Sequence, residues 1–421
     1  MDRVVIVASC ESYRIGDFIA AARSLRVTPV VATDAASPFA AEKARSIVVD
    51  LDDPETAAAE IKDSVPHARA VVPVDDQGVR VAAAAAGALG LPTNPAHAVA
   101  ATRDKLAMRT LLGAAGIRQP RFASVAEGTL GGVADTLGYP IVVKPTSLAA
   151  SRGVIRLDTP KLAGATEARV RSIAVDAGME REAPLIAEEY IGGHEMAIEG
   201  ILIDGTLEVL ALLDKPVPLR GPYFEETMFV SPSTQPEAVT KRTVDTVTRA
   251  IAAIGLVTGP VHAEVRIDEG GAVFVIEIAA RSIGGLCGRS LTFGLLGESL
   301  ESVVLRSALG RASHTDEQTS PATGVLMLPI PAAGLLTGVE GVDEALTIDG
   351  IDSIEITIPD GRTVVPLPEG DRYLGFVFAT GPSPSAVRHS LAAASLSIHP
   401  VIDGEHVTSE GQSAAGRSSR I

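Results

Sequence analysis

The residues with the clearest chemical potential lie in 260–281, PVHAEVRIDEGGAVFVIEIAAR. Two alternating runs flank Asp268-Glu269-Gly270-Gly271, a turn composition. Alternation puts His262, Glu264 and Arg266 on one face of the first run. It puts Val275, Glu277, Ala279 and Arg281 on one face of the second. If Asp268 closes the hairpin against Val273, Glu264 stands opposite Glu277 with Cβ atoms ~5 Å apart. Like charges so placed need compensation. A hard cation with oxygen ligands supplies it, and Mg²⁺ bound to phosphates takes only one or two protein carboxylates. A solvated hairpin with ordinary surface charges, or a different register, accounts for the same residues equally well. Arg281 follows where the strand ends, within reach of an anion held by such a metal; a lone arginine there is otherwise a surface residue. His262 shares a face with Glu264 and is the better histidine candidate. His194 reads as a turn residue.

Lysine is scarce: seven of the 36 basic residues, against 29 arginines. A lysine is a compact point charge suited to one phosphate oxygen. Lys144 ends the apolar run Tyr139-Pro140-Ile141-Val142-Val143 and is followed by Pro145. The next loop, Thr146–Gly153, is TSLAASRG. With Ser147, Ser151 and Gly153 it has the small residues that let backbone N–H groups lie over phosphates. Alone it is a weak signal. Lys105 opens a helical pattern, where an exposed helix lysine is the ordinary reading. Glu188-Glu189-Tyr190-Ile191-Gly192-Gly193-His194-Glu195 reads as strand, Gly-Gly turn and strand. Neither GxxxxGK[ST] nor GxGxxG occurs, which excludes P-loop chemistry and leaves a dinucleotide site without its fingerprint.

The elements that must position these residues follow from periodicity. Short apolar strands at Val4–Ala8, Thr28–Ala32, Ile47–Asp50 and Ala70–Val74 alternate with helical patterns at Asp17–Leu25, Pro54–Ser64 and Gln77–Leu89. This predicts a parallel sheet covered on both faces. Its strand tips, Ser9–Arg14 and Asp75–Gln77, are where such sheets bind ligands. A second unit runs over Thr102–Leu309 and a third over Ala322–Ile402, separated by the polar stretch Arg311–Pro321. The tail from Asp403 is small and polar, a disordered composition.

Composition narrows the function classes. At 421 residues, two to four domains are expected. A net charge of −16 without a basic stripe argues against nucleic acid. No apolar stretch approaches ~18 residues, so no membrane span is expected. Cys10 and Cys287 are too few for a disulfide framework or zinc site, and a reducing cytoplasm is the simplest setting.

Taken together, these pieces resemble the ATP-grasp superfamily: helix lysine, strand lysine with a small-residue loop, Glu-Glu-Tyr-Ile hinge, then two acids on a hairpin. The resemblance covers about 101–309. It implies that Lys105 and Lys144 contact ATP phosphates and that the loop with Ser147, Ser151 and Gly153 covers them. Glu188, Glu189 and Ile191 would line the adenine and Glu195 would meet the ribose. Glu264 and Glu277 would bind Mg²⁺, for which Mn²⁺ can substitute, and Arg281 would steady an acyl-phosphate. The segment Ser12-Tyr13-Arg14 with Val74-Asp75-Asp76, the segment Asp214-Lys215-Pro216 with Gly221–Thr227, and Tyr373–Val377 resemble the L-amino acid ligases. Arg14, Asp75, Asp76 and His262 are then substrate-binding candidates. Two departures stand out: Ala279 replaces a frequent asparagine ligand, and Leu148, Ala149 and Ala150 replace frequent glycines.

The implied fold is a parallel α/β domain at 1–100, a two-lobed ATP-grasp domain at 101–310 and a small α+β domain at 320–402. A lid lobe falls at about 120–190, and 403–421 is a disordered tail. The implied reaction joins a small carboxylic acid to an amine, with an L-amino acid among the substrates. A homodimer is compatible with this. The alternatives are an ATP-grasp enzyme using bicarbonate or a nucleotide-sugar amine, and a non-catalytic ATP-binding protein. The absence of a biotin-carrier segment disfavours carboxylation in cis, and the intact set Lys105, Lys144, Glu264, Glu277 and Arg281 disfavours the non-catalytic reading.

Overall fold

The computed structural model describes residues 2–40, 43–294, 296–311 and 322–407. The chain forms two compact units. The first comprises 1–119, 196–213 and 235–319; the second comprises 120–195, 214–234 and 320–421.

The first unit begins with a four-stranded parallel sheet, in the order Arg45–Val48, Thr28–Thr33, Arg3–Val7, Ala68–Pro73. The order reverses between Arg3–Val7 and Ala68–Pro73. Open parallel sheets place their ligand crevice at such a switch point. Helices Ile15–Ser24, Pro54–Ser64 and Val79–Ala88 accompany the strands. The second of these starts where the sequence says it should: Pro54 sits in its first turn and the Asp53 carboxylate accepts the Thr56 N–H at 3.2 Å. Val5, Val7, Val30, Ile61, Val81 and Ala85 form the buried interior. Gly78 precedes the third helix because a Cβ there would lie 2.5 Å from the Val7 carbonyl oxygen.

The remaining strands of this unit are Val273–Ala279, Gly259–Ile267 and the parts 196–203 and 206–213 of His194–Ile203 and Thr206–Lys215. Helices Ala96–Arg103, Lys105–Ala114 and Glu237–Ile254 pack their apolar faces on this layer. Met108, Leu112, Val247 and Ile251 meet Val261, Ala263, Val265, Val275 and Ile278 there.

The second unit contains an antiparallel sheet ordered Phe122–Val125, Leu185–Glu189, Ile141–Pro145, Ile155–Leu157. Helices Leu130–Leu137 and Ala163–Asp176 pack on it through Leu130, Ala134 and Val170. Buried Glu167 caps the first of these helices, accepting the Gly128 N–H at 2.7 Å and the Leu130 N–H at 3.0 Å, and pairs with buried Arg171. Strands Met228–Ser231, Ala322–Leu328, Gly375–Gly381 and Ile351–Ile356 follow in that order, with helix Pro384–Ser397 against them. A smaller sheet holds Thr363–Val364, Gly334–Glu340, His399–Ile402 and Glu405–His406.

The predicted helices and strands of the parallel sheet match the observed ones within two residues. Strand Phe122–Val125 was not anticipated: it is four residues with Ala123 and Ser124 in the middle, too short and too polar to show alternation. The polar boundary 312–321 and the tail from 408 lie outside the described residues. Glu405–His406, at the start of the expected tail, pairs with Val401–Ile402. Among the described residues no helix is long and apolar enough to cross a membrane.

Candidate active site

In the first unit the acidic hairpin forms, with a different closure. Ile267, not Asp268, pairs with Val273, and the Asp268 N–H bonds the Ala272 carbonyl at 3.0 Å. That register alone would put Glu264 opposite Ile276. A bulge between Glu264 and Val265 takes up one residue and restores the pair Glu264–Glu277. An extra residue also switches faces. Val275 and Ile278 therefore both enter the core, so Val275 does not share the face of Glu277, Ala279 and Arg281 as alternation predicted. Two carboxylates in direct cross-strand register make an oxygen-only donor set, which fits Mg²⁺.

Behind this pair lies Glu199, fully buried. It accepts the Ile283 N–H on both oxygens at 3.1 Å and faces His262 Nδ1 at 3.0 Å. His262 Nε2 lies 3.3 Å from Glu264. Burial alone would pull the imidazole pKa down. The carboxylates of Glu199 and Glu264 outweigh burial and push it up to about 9, so His262 is cationic and donates to both.

Arg281 is held by Asp76, which accepts from its Nε at 3.0 Å and its NH2 at 2.8 Å, while its NH1 bonds the Ser282 carbonyl. Arg103 reaches the other Asp76 oxygen at 3.1 Å. Burial would raise the Asp76 pKa, but Arg281, Arg103 and then Lys105 hold it well below the carboxylate range. Asp75 instead accepts the Ser9 and Gly78 N–H groups at 2.9 and 3.0 Å, and burial pushes its pKa up. Buried Arg14 bonds the Val74 carbonyl and Ser282 Oγ, both at 2.8 Å, and pairs with Glu301. The two strand tips at the switch point are thus tied directly to the Arg281–Ser282 turn. Buried Lys105 opens its helix after Asp104, whose carboxylate accepts the Leu106 and Ala107 N–H groups.

In the second unit Lys144 Nζ pairs with Glu188 at 2.7 Å, both side chains buried. Such a pair persists because breaking it would strand a charge away from water. Ser147 Oγ lies 3.5 Å from Met179 Sδ, and Ala150, Ser151 and Gly153 all have left-handed backbone. Glu189 pairs with Arg121 nearer the surface, and Ile191 is buried. Glu195 accepts from Lys215 at 2.8 Å; Lys215 also pairs closely with Glu226 and lies over the Phe229 ring. Tyr190 stacks under the Arg156 guanidinium, 4.2 Å from its ring centroid. Asp214, beside Lys215, is occupied by His194, Ser233 and Thr234.

Glu199, Arg103, Ser282 and the Lys215–Glu226 pair were not singled out as site residues from sequence. Glu199 carried a usable signal, a lone acid inside the apolar run Ala197-Ile198 to Ile201-Leu202. Lys215 is one of the scarce lysines.

Glu225 has a testable electrostatic consequence. Burial raises its pKa to about 7. A carboxyl raised from 4.5 in the folded state contributes stability that is full below pH 4.5 and is lost as pH rises through about 7. Glu225→Gln should remove that decline, gaining about 1–3 kcal/mol over the parent at pH 8 relative to pH 4.5. Urea unfolding at both pH values checks it; parallel curves would show that Glu225 titrates normally.

Residues 137–290 match an ATP-grasp domain, and residues 326–403 match L-amino acid ligase C-terminal domain 2. Alanine–anticapsin ligase of Bacillus subtilis is 31% identical over 213 residues, 47% of this chain and 44% of the relative. The aligned part thus spans less than half the length of that curated relative. An L-amino acid ligase from Bacillus licheniformis superposes with a TM-score of 0.80 at 24% identity, over 96% of this chain and 99% of the other. Carboxyaminoimidazole ribonucleotide synthase of Aspergillus clavatus, solved with ATP, gives a TM-score of 0.74 at 16% identity over 94% and 98%. The chain thus matches the ATP-grasp domain over 137–290 and L-amino acid ligase C-terminal domain 2 over 326–403, and it shares the fold of an L-amino acid ligase along nearly its whole length.

Proposed function

We propose that this protein is an ATP-dependent carboxylate–amine ligase that forms an amide or dipeptide bond through an acyl-phosphate and releases ADP and phosphate. The observation that carries the reading is the register pair Glu264–Glu277 with the largely buried, aspartate-clamped Arg281 four residues beyond the second acid. The match to an L-amino acid ligase domain favours an amino acid among the substrates.

A carboxylate is a poor electrophile at neutral pH. Its attack on the γ-phosphorus gives an acyl-phosphate with a good leaving group. Glu264 and Glu277 would hold Mg²⁺, which when bound neutralises phosphate oxygens. Lys144 and Lys105 supply point charges for phosphate, and the backbone N–H groups of 147–153 cover it. Glu188, Glu189 and Ile191 are assigned to the adenine and Glu195 to the ribose. Arg281, fixed in direction by Asp76, donates to the acyl-phosphate and to the oxyanion formed when the amine attacks. His262 keeps Glu264 oriented by donating to it. Arg14 and Asp75 set the strand tips beside the Arg281 turn, and Asp76 acts through Arg281.

The domain partition 1–100, 101–310 and 320–402 belongs to the same reading. Phosphate release should be stimulated by particular amino acids, singly or in pairs. A panel of the common L-amino acids with ATP and Mg²⁺ tests this. Stimulation by bicarbonate alone would move the protein to the carboxylase class, for which the carboxyaminoimidazole ribonucleotide synthase likeness is the supporting observation.

A further inference from the structure

The loop 147–153 lacks glycine at 148–150, yet Ala150 and Ser151 adopt φ of 54° and 56°. L-residues rarely take that conformation unless their surroundings impose it. Gly153 also has positive φ, and a Cβ there would sit 2.9 Å from Pro145 Cγ, so the loop end is pressed against the strand lysine's neighbour. Two turns close within the loop, the Arg152 N–H on the Ala149 carbonyl at 3.2 Å and the Val154 N–H on the Ser151 carbonyl at 3.1 Å, and further contacts come from more than 200 residues away in sequence. The Gly153 N–H donates to the Pro368 carbonyl at 2.8 Å. Arg152 Nε donates to the Glu369 carbonyl at 3.1 Å, and its NH1 lies 3.6 Å from Asp371.

The segment making these contacts is itself shaped and fastened. The Gly370 N–H closes a turn on the Pro366 carbonyl at 2.9 Å, and a Cβ at Gly370 would lie 2.1 Å from the Val365 carbonyl oxygen. Glu369 accepts from Arg169 in fork geometry, at 2.6 Å from Nε and 3.0 Å from NH2. The third arm of that guanidinium, NH1, donates to Tyr223 Oη at 2.5 Å, and its carbon lies 5.1 Å from the Tyr223 ring centroid. The Arg169 and Glu369 side chains are 43% and 40% exposed, so the ion pair alone would be weak. Planar two-point geometry and the aromatic contact strengthen and direct it. Loop and helix are therefore both bound to one turn: the loop by the Gly153 backbone and the Arg152 side chain, the helix Ala163–Asp176 by the Arg169 side chain.

We propose that residues 366–371 form a strap that holds the loop 147–153 in its shape, with Glu369 and Arg169 as positioning residues. That the strap thereby acts on ATP binding rests on the assignment of this loop to the ATP phosphates. The strap substitutes for missing glycines: a loop less free to bend is held by an external turn.

Amide hydrogen exchange of the ligand-free protein reads the strap without ATP, and steady-state kinetics read its consequence. Glu369→Gln keeps the turn but removes the charge; Gly370→Ala deforms the turn and displaces the two carbonyls. Both should speed exchange in the peptide containing Gly153 about three- to tenfold while leaving the parallel-sheet peptides unchanged. KM for ATP should rise by a similar factor with kcat within about twofold. Unchanged exchange at Gly153 in Glu369→Gln, or in Gly370→Ala where that variant folds, overturns the strap. Faster exchange with unchanged KM for ATP supports the strap and removes the loop from phosphate binding.

Discussion

Glu277→Gln should fold like the parent and lose turnover by about 10³-fold or more. The substitution removes one of two like charges in direct register, so stability should hold or rise by a few tenths of a kcal/mol. It also removes half of a two-carboxylate donor set, and Ala279 supplies no side-chain oxygen to replace it. Loss of metal should appear independently of turnover, as weaker Mn²⁺ binding in an electron-paramagnetic titration. A variant that turns over normally and binds Mn²⁺ normally would leave the pair as a surface feature of the hairpin.

Arg281 is the second large effect. Arg281→Lys keeps a positive charge but loses the planar fork that meets Asp76 through two nitrogens. Removing an oxyanion donor typically costs about 10²–10³ in rate, and kcat should fall by that amount with KM for ATP changed less than about threefold. Structure and chemistry separate in a second variant. Arg281→Met takes from the largely buried Asp76 its two-point partner and leaves it Arg103 and Lys105, a loss of about 3 kcal/mol. Adding Asp76→Asn should restore much of that stability by urea unfolding and none of the activity. Recovery of activity along with stability would mean that Arg281 serves the fold rather than the reaction.

The parts legible in the sequence were those set by local pattern. Alternation located the hairpin, and short apolar runs located the strand that carries Lys144 and the parallel strands, read at 4–8 and 70–74 and observed at 3–7 and 68–73. The register of the acids was reached with the wrong closing residue. Alternation counts residues and cannot show a bulge; the bulge at Glu264/Val265 compensated for the one-residue difference in closure. What stayed hidden was long-range pairing. Nothing near Asp76 in sequence announces that its partner is Arg281, 205 positions away, or that Arg14 meets Ser282 and Glu301. Glu199 shows only as a charge in an apolar strand; its two bonds to Ile283 and its approach to His262 exist only once the sheet forms. Likewise nothing in the sequence of the loop 147–153 announces the contacts of Arg152 and Gly153 with the distant turn at 366–371.

Activation of a carboxylate by γ-phosphoryl transfer is tested most directly by the nucleotide product. ATP, Mg²⁺ and the amino-acid panel are incubated with hydroxylamine as the nucleophile, and nucleotide and hydroxamate are quantified together. Formation of ADP, phosphate and the hydroxamate of one acid in equal amounts is the result expected from Glu264, Glu277, Lys144 and Arg281 in their assigned roles. AMP and pyrophosphate accompanying the hydroxamate would contradict it, because attack would then be at the α-phosphorus.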